Sequence, residues 1–252
     1  MNKSVLLIVE GARTEYRFFK KILKIYRDLP ESNIFSYNTT IHELIRRFTN
    51  ENGIFDEDLD TIGVLKESRI DCDKGVLNKK FTDIFLIFDM DPQDQRYDKE
   101  KIDAALSFFN DSTEKGKLYI NYPMFESYKH IPSLYDDCFI TITVHKDDIK
   151  EYKMISSLPK NCCRELQHPE KMDMEICNQI LILNLRKTNY IIRGKKDIPA
   201  LQTYIDDFDL QRVHRLQMKK FESENLLYVL NTSVLCIVDY NPTRFFNQIN
   251  RN

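Results

Sequence analysis

Three acidic residues stand where buried strands would end, and their types suit metal chemistry. Glu10 follows the apolar run 5–9, and Asp89 and Asp91 follow a second apolar run, 84–88. An uninterrupted apolar run of this length predicts a strand covered on both faces, as at the centre of a parallel sheet. Carboxylates held about 4 Å apart repel by on the order of 1 to 4 kcal/mol per pair. We therefore predict that the three acids meet around a hard divalent cation, Mg²⁺ or alternatively Mn²⁺.

The elements around these acids would aim them at a ligand. In open α/β sheets the ligand crevice lies outside the carboxyl ends of the strands, where both acidic segments emerge. Gly11 permits a sharp turn after the first strand, and Thr14 is the expected N-cap of the helix that follows. Residues two apart in extended chain point to the same side, so Asp89 and Asp91 are expected to face one ligand.

The order strand, Glu-Gly, helix, then strand and Asp-x-Asp resembles the Toprim domains of topoisomerases, primases and several nucleases. The segment Glu-Gly-Ala-Arg-Thr-Glu at 10–15, together with 121–128, is most similar to the RloB-like branch associated with bacterial anti-phage and restriction loci. That branch typically reads E-G-x-x-T-E, then D-x-D, then N-P-x-F-E followed by an aromatic residue. This chain departs from it by the extra Tyr122 before Pro123 and by Tyr128 in place of tryptophan. The resemblance covers roughly residues 1–135.

The resemblance adds further residues to the site. It implies that Glu15 is a second metal ligand and that Glu126 belongs to the active-site region, with Lys129 or His130 nearby to hold a phosphate. Both acids also suit a helix N-terminus, where the macrodipole favours Glu without any function. Arg13 would contact a phosphate from the loop, although an ordinary surface arginine is the favoured explanation.

The fold implied is α/β, a Toprim-like and Rossmann-like mostly parallel sheet flanked by helices, with a mainly helical C-terminal part. We assign 1–135 to the Toprim-like catalytic domain, with 50–80 as an insertion or mobile loop, and 136–252 to a mainly helical substrate or partner platform. Alternation of strands and helices predicts the parallel sheet. The expected further elements are a strand at 33–37, helices at 40–50 and 101–110, a strand at 117–122 and a half-exposed strand at 139–144.

Whole-chain properties exclude several classes of protein. The 252 residues are 42% apolar and 30% charged, which is typical of a soluble domain with a substantial core. No apolar run approaches the roughly 20 residues of a membrane helix, and the first residues lack the form of a signal peptide, so a cytoplasmic location is expected. The six cysteines form no C-x-x-C pair, which argues against a zinc site or a disulfide framework.

The charge distribution bears on partners. There are 37 basic and 39 acidic residues, but basic residues cluster at 186–187, 193–196 and 212–215. Such clusters beside an acidic metal centre would suit the phosphodiester backbone of DNA or RNA. A plain solvated surface explains the same residues. The oligomeric state is left open, and a homo-oligomer is among the arrangements allowed.

These features predict a metal-dependent nuclease that hydrolyses DNA or RNA, and the resemblance to the RloB-like branch implies that it is an effector in bacterial anti-phage defence. Glu10 would complete the metal shell or act as general acid or base, and Asp89 and Asp91 would bind one or two ions. The alternative is a catalytically silent or partner-regulated binding subunit. The chain has no G-x-x-x-x-G-K-[ST] loop, so any coupled ATPase would be separately encoded. A Rossmann dinucleotide enzyme is disfavoured because no G-x-G-x-x-G follows the first strand.

Overall fold

The computed structural model describes residues 4–26, 31–58, 60–68 and 74–249. The chain forms two compact units, Met1–Ile120 and Asn121–Asn252. This division precedes the boundary at 135 that the sequence indicated, so the motif at 121–128 belongs to the second unit.

The first unit is an α/β unit with a mostly parallel mixed sheet. Its strands are β1 (Ser4–Val9), β2 (Glu31–Ser36), β3 (Asp83–Asp89), β4 (Asn110–Asp111) and β5 (Gly116–Tyr122, whose last two residues enter the second unit). Its helices are α1 (Thr14–Ile25), α2 (Ile41–Phe48), α3 (Thr61–Glu67) and α4 (Lys99–Phe108).

The strand β1 lies inside this sheet, whose order is β2-β1-β3-β5-β4. It pairs in parallel with β2 and with β3, and Val9 lies opposite both Ser36 and Ile87. Val5 to Val9 are all buried, as are Ile84 to Phe88 of β3. The prediction of two adjacent parallel strands with buried apolar faces is therefore confirmed, and the same register brings the strand ends to one edge.

The helices of the first unit bury apolar faces, and one predicted helix start is wrong. In α1, Phe18, Phe19 and Ile22 are buried. Arg13, not Thr14, occupies the N-cap position, and no side chain caps the helix. Thr14 fails as the cap because it already belongs to the first helical turn.

The segment 50–80 has more regular structure than an insertion loop would. It includes α3, whose N-cap Asp60 accepts a hydrogen bond from the Gly63 amide at 2.6 Å, and a 3-10 helix at Lys74–Asn78. Leu65 and Leu77 are fully buried. Within its described residues, this segment therefore contributes to the core of the unit. Helix α1 ends at Ile25, before the end near Leu29-Pro30 that the sequence pattern predicts. The cysteine at 72 lies outside the described residues.

The second unit is mainly helical, as predicted. Its helices are α5 (Cys138–Thr141), α6 (Tyr152–Ile155), α7 (Met174–Arg193), α8 (Leu201–Asp207), α9 (Leu210–Glu224), α10 (Cys236–Tyr240) and α11 (Pro242–Ile249). Its strands are β6 (Thr143–His145), β7 (Leu226–Tyr228) and β8 (Leu230–Asn231), with β6 antiparallel to β7 and β8 antiparallel to Asn121 and Tyr122 at the end of β5. Across the described ranges, no helix has the length and apolar character needed to cross a membrane.

The predicted half-exposed strand at 139–144 is wrong over most of its length. Its first residues belong to α5, and β6 begins only at Thr143. The Asp136 carboxylate accepts a hydrogen bond from the Cys138 amide at 2.8 Å, which favours a turn of helix at this point. An alternation of three apolar residues is too short to decide between the two structures when such a local bond intervenes.

The two residues of the basic cluster at 186–187 make contacts within the protein. Lys187 is fully buried in α7, and its Nζ donates to the carbonyl oxygens of Phe139 and Ile142, each at 2.7 Å. Arg186 pairs with Asp137 at 2.5 Å. Lys187 is therefore not available to a phosphodiester, nor is it part of a solvated surface.

Candidate functional site

Glu10 and Asp89 meet at the carboxyl ends of two adjacent parallel strands. The Glu10 amide donates to the Ile87 carbonyl at 3.1 Å, which continues the β1–β3 ladder one step beyond β1. The Glu10 Oε2 atom in turn accepts a hydrogen bond from the Asp89 amide at 3.0 Å. Two segments that are 79 positions apart in sequence are thus joined directly through an acidic side chain.

The charge state of Glu10 reflects its surroundings. Burial of the carboxyl raises its pKa from an ordinary 4.5 to about 8, the amide of Asp89 opposes the rise, and the charges of Asp91, Glu15 and Asp94 add to it. Desolvation and like charges both disfavour the ionised form of a carboxyl. The four acids therefore lie close enough to interact, and in the absence of a cation Glu10 holds a proton at neutral pH.

Gly11 allows the carboxylate of Glu15 to fold back over the turn. A Cβ atom at position 11 would lie 2.5 Å from Oε2 and 2.7 Å from Oε1 of Glu15. Only glycine leaves room for this approach, since real Cβ atoms do not come so close to another heavy atom. The Glu-Gly pair and the acid four positions after Gly11 thus form one local arrangement.

Asp91 does not continue the strand, contrary to the expectation of extended geometry. The strand β3 ends at Asp89, and Asp91 has a φ of +42°, in the left-handed region. Its carbonyl accepts a hydrogen bond from the Asp94 amide at 3.1 Å, which closes a turn around Pro92. The alternation argument for Asp89 and Asp91 is therefore wrong. The Asp91 carboxyl still belongs to the acidic group, because burial and the charge of Asp94 raise its pKa.

Three residues near these acids had not been anticipated from sequence. Asp94 lies in the same turn, and the Arg96 guanidinium holds its carboxylate with two bonds, of 2.6 and 2.9 Å, which lowers the pKa of that carboxyl. His42, from the first turn of α2, is buried and hydrogen-bonds the backbone of Asp91. Burial lowers the pKa of His42. The spacing Asp91-Pro-Gln-Asp94 was visible in the sequence as a third acid after the strand.

The acids do not form a complete metal-binding site within the described residues. Among the residues that the structure describes, no group of three or more His, Cys, Asp and Glu side chains is arranged to hold a metal ion. The chemistry of the donors nevertheless fits Mg²⁺, which takes oxygen ligands and is usually held by one or two carboxylates together with water and substrate phosphates. The carboxylates present could therefore supply part of a coordination shell.

The remaining predicted residues of the first unit and of the second are placed as follows. Arg13 is exposed at the start of α1. Glu126 lies in a 3-10 helix, Phe125–Lys129, where it is buried and pairs with Lys153 at 3.0 Å. Lys129 is partly buried. The His130 ring contacts the Tyr152 hydroxyl at 3.1 Å, and burial lowers its pKa to about 4.

The segment before Glu126 is held by a buried polar network. The Asn231 side chain donates to the Phe125 carbonyl at 2.8 Å, and its Oδ1 accepts from the Ser233 hydroxyl at 2.6 Å. Asn121 accepts from the Ser233 amide at 3.3 Å. The buried neutral His130 and this network give many residues of the 121–130 motif a structural role. A role for Glu126, Lys129 or His130 in metal or phosphate binding stays a prediction.

Comparison with known protein families, with curated proteins and with solved structures gives no match to this chain, so the resemblance to Toprim domains rests on the motif residues themselves.

Proposed function

We propose that this chain is a metal-dependent nuclease that hydrolyses phosphodiester bonds in DNA or RNA, on a Toprim-like fold. The observation that carries the proposal is the bond from the Asp89 amide to the Glu10 carboxylate, at the shared edge of two parallel strands. Three further acids act on Glu10 at this edge. Such a concentration of negative charge is costly unless a cation offsets it, and parallel-sheet edges of this kind are ligand sites.

The roles of the side chains follow from their surroundings. Asp89 and Asp91 would supply oxygen ligands, and Glu15 would add another beside Gly11. When bound, the cation would polarise the phosphodiester and lower the pKa of an attacking water. In the metal-free protein, burial and the neighbouring acids raise the pKa of Glu10 to about 8, and a carboxyl with a raised pKa suits the role of general acid or base. Hydrolysis needs only the cation, the attacking water and a group that transfers a proton, so no further side chain is required.

The test is cleavage of labelled single- and double-stranded DNA and RNA by the purified chain in Mg²⁺, Mn²⁺ or EDTA. We expect cleavage with either metal and none with EDTA. Glu10→Gln and Asp91→Ala should each reduce the rate by about a hundredfold or more, the usual size of a lost acid–base group or ligand. Glu114→Gln, which changes an exposed glutamate of the same unit, is the matched control. Undiminished cleavage by both variants would remove the proposal.

A second candidate is a binding subunit whose acids hold a regulatory ion without cleavage. The acids that act on Glu10 would bind an ion whether or not cleavage follows, so they support this candidate as well. Calorimetry with Mg²⁺ and Mn²⁺ separates the candidates, since metal binding that depends on Glu10 without cleavage of any nucleic acid would favour the subunit. A role in anti-phage defence, with a separately encoded ATPase as partner, predicts that such an ATPase is encoded beside this gene.

A further inference from the structure

A cavity of about 560 Å³ lies in the first unit next to the acidic group. Its lining includes His42 and Arg96. His42 hydrogen-bonds the backbone of Asp91, and Arg96 holds the carboxylate of Asp94. His42 and Arg96 therefore line the cavity and also contact the acidic segment, so a ligand in the cavity would lie beside the acids.

The charge of the lining favours an anion. Arg46, Arg96 and Lys101 contribute positive charge, and Glu51 is the acidic residue among the lining side chains. These cations come from α2, from the turn after β3 and from α4, so they approach the cavity from three elements. Asn50 and Asn52 add neutral hydrogen-bonding groups.

The cations are paired in ways that a phosphate can replace. Arg46 bonds Glu43 at 2.7 Å, and Lys101 lies 3.8 Å from Asp98. The Arg46 and Lys101 side chains are 68% and 57% exposed. Exposed ion pairs of this kind contribute little to stability, so exchanging a carboxylate for a phosphate costs the protein little. Guanidinium groups bind carboxylate and phosphate with the same forked geometry.

His42 provides an independent indication of a ligand. Its side chain is more than nine-tenths buried and lines the cavity, yet its Nε2 atom has no hydrogen-bond partner within the described residues. A buried polar atom left without a partner is unfavourable. The Nε2 atom is closed off from the open cavity, so a ligand would gain this bond only if the His42 side chain moved toward it.

We propose that this cavity binds the nucleotide next to the cleaved bond of a nucleic acid, with its phosphate among Arg46, Arg96 and Lys101. The inference rests on the proposed function, since it places the substrate beside the acids. A cavity of this volume falls in the roughly 300–1,000 Å³ range of small-ligand sites, so it exceeds the needs of a bare phosphate.

The experiment measures binding without catalysis. Fluorescence anisotropy in EDTA follows a labelled oligonucleotide, DNA or RNA, on the Glu10→Gln protein at several salt concentrations. We expect Arg46→Gln with Lys101→Gln to weaken binding by on the order of tenfold. Arg46 and Lys101 would hold one phosphate between them. Because each lost phosphate contact removes about 0.7 from the slope of log affinity against log salt for single strands, the slope should fall by about 0.7.

Two further variants make the result specific. Lys24→Gln with Lys66→Gln removes two exposed lysines of the same unit that are not in the cavity lining, and should leave affinity and slope close to their starting values. His42→Phe keeps a ring and removes Nε2, so it should weaken binding without changing the slope. Thermal unfolding of each variant identifies any that fail to fold. A mononucleotide that competes better than its nucleoside would identify the phosphate as the recognised group.

The outcomes separate this inference from the nuclease itself. The inference is overturned if the cavity variants bind like the lysine control, or if the Glu10→Gln protein binds no oligonucleotide. Cleavage in Mg²⁺ is measured separately on proteins with Glu10 intact. Cleavage with unaffected binding in the cavity variants would leave the nuclease standing without this subsite, whereas weakened binding without cleavage would leave a nucleic-acid site without the nuclease.

Discussion

Replacement of Glu10 by Gln should stabilise the metal-free protein, and increasingly so as pH rises. Glutamine keeps an oxygen that can accept the bond from the Asp89 amide, but it cannot ionise. The pKa of Glu10 rises from 4.5 to about 8 in the folded protein. A folded state with a raised carboxyl pKa binds more protons than the unfolded state, so stability is lost as pH rises between these two values.

The size of the effect follows from the same pKa values. With a pKa of 4.5 in the unfolded state and about 8 in the folded state, the unfolded wild type ionises first, which lowers its free energy of unfolding by about 1.4 kcal/mol at about pH 5.5 and by about 4 kcal/mol at about pH 7.5. The difference in unfolding free energy between Glu10→Gln and the wild type should therefore grow by about 2 to 3 kcal/mol across this interval. The Glu10 carboxyl is largely buried, so solvent screening reduces this figure only in part.

The assay is urea denaturation in EDTA at both pH values. Far-UV circular dichroism is the suitable signal because the chain contains no tryptophan. Since the chain has two compact units, the transition of the first unit is followed by hydrogen exchange of peptides from β1. The control is Glu114→Gln, an exposed glutamate. A stability difference for Glu10→Gln that does not change with pH would refute the reasoning about burial and neighbouring acids. In a separate series without EDTA, a wild type that Mg²⁺ fails to stabilise more than the variant would refute a role of Glu10 in holding a cation.

Three other changes test separate parts of the structure. Gly11→Ala would force the Glu15 carboxylate to move, because the new Cβ would lie 2.5 Å from its oxygen. Metal-dependent cleavage should then fall by on the order of tenfold or more, with little change in melting temperature. Initial rates equal to those of the wild type would contradict this. Arg96→Gln removes the forked contact that lowers the pKa of Asp94, so an NMR titration should show that pKa rising toward its ordinary value with little change in melting temperature, and an unchanged pKa would contradict this. Lys187→Met should destabilise the second unit by on the order of 3 kcal/mol because two buried carbonyls lose their donor. Burial lowers the pKa of Lys187, so the stability of the wild type relative to Lys187→Met should increase from about pH 7 toward about pH 9.5. Denaturation midpoints whose difference does not depend on pH would exclude a neutral buried amine.

The central strands were predictable because their pattern is local. Each apolar run is bounded by polar residues and has one interpretation, a buried strand. The position of Glu10 and Asp89 at the strand ends follows directly from it. The parallel pairing then brought both ends to one edge. The helices α2 and α4 were also predictable, since Leu44, Ile45 and Ile102 fall on buried faces.

The rest depends on contacts that a linear pattern does not contain. The left-handed backbone of Asp91 follows from the turn around Pro92 and its bond to the Asp94 amide, which the alternation of an extended chain does not anticipate. His42 reaches the acids because β2 pairs with β1, a long-range pairing. Lys187 reads as a surface charge in sequence, and only tertiary packing supplies the two carbonyls that it meets.

The order of strands in the first sheet also constrains how this chain is made. The inner strand β1 is synthesised first, yet one of its two neighbours, β3, is not complete until Asp89 has left the ribosome. During this interval an apolar segment, 5–9, lacks a partner along one side and is open to association with other chains. Protection of the nascent chain by a chaperone would matter most while the intervening residues are being translated.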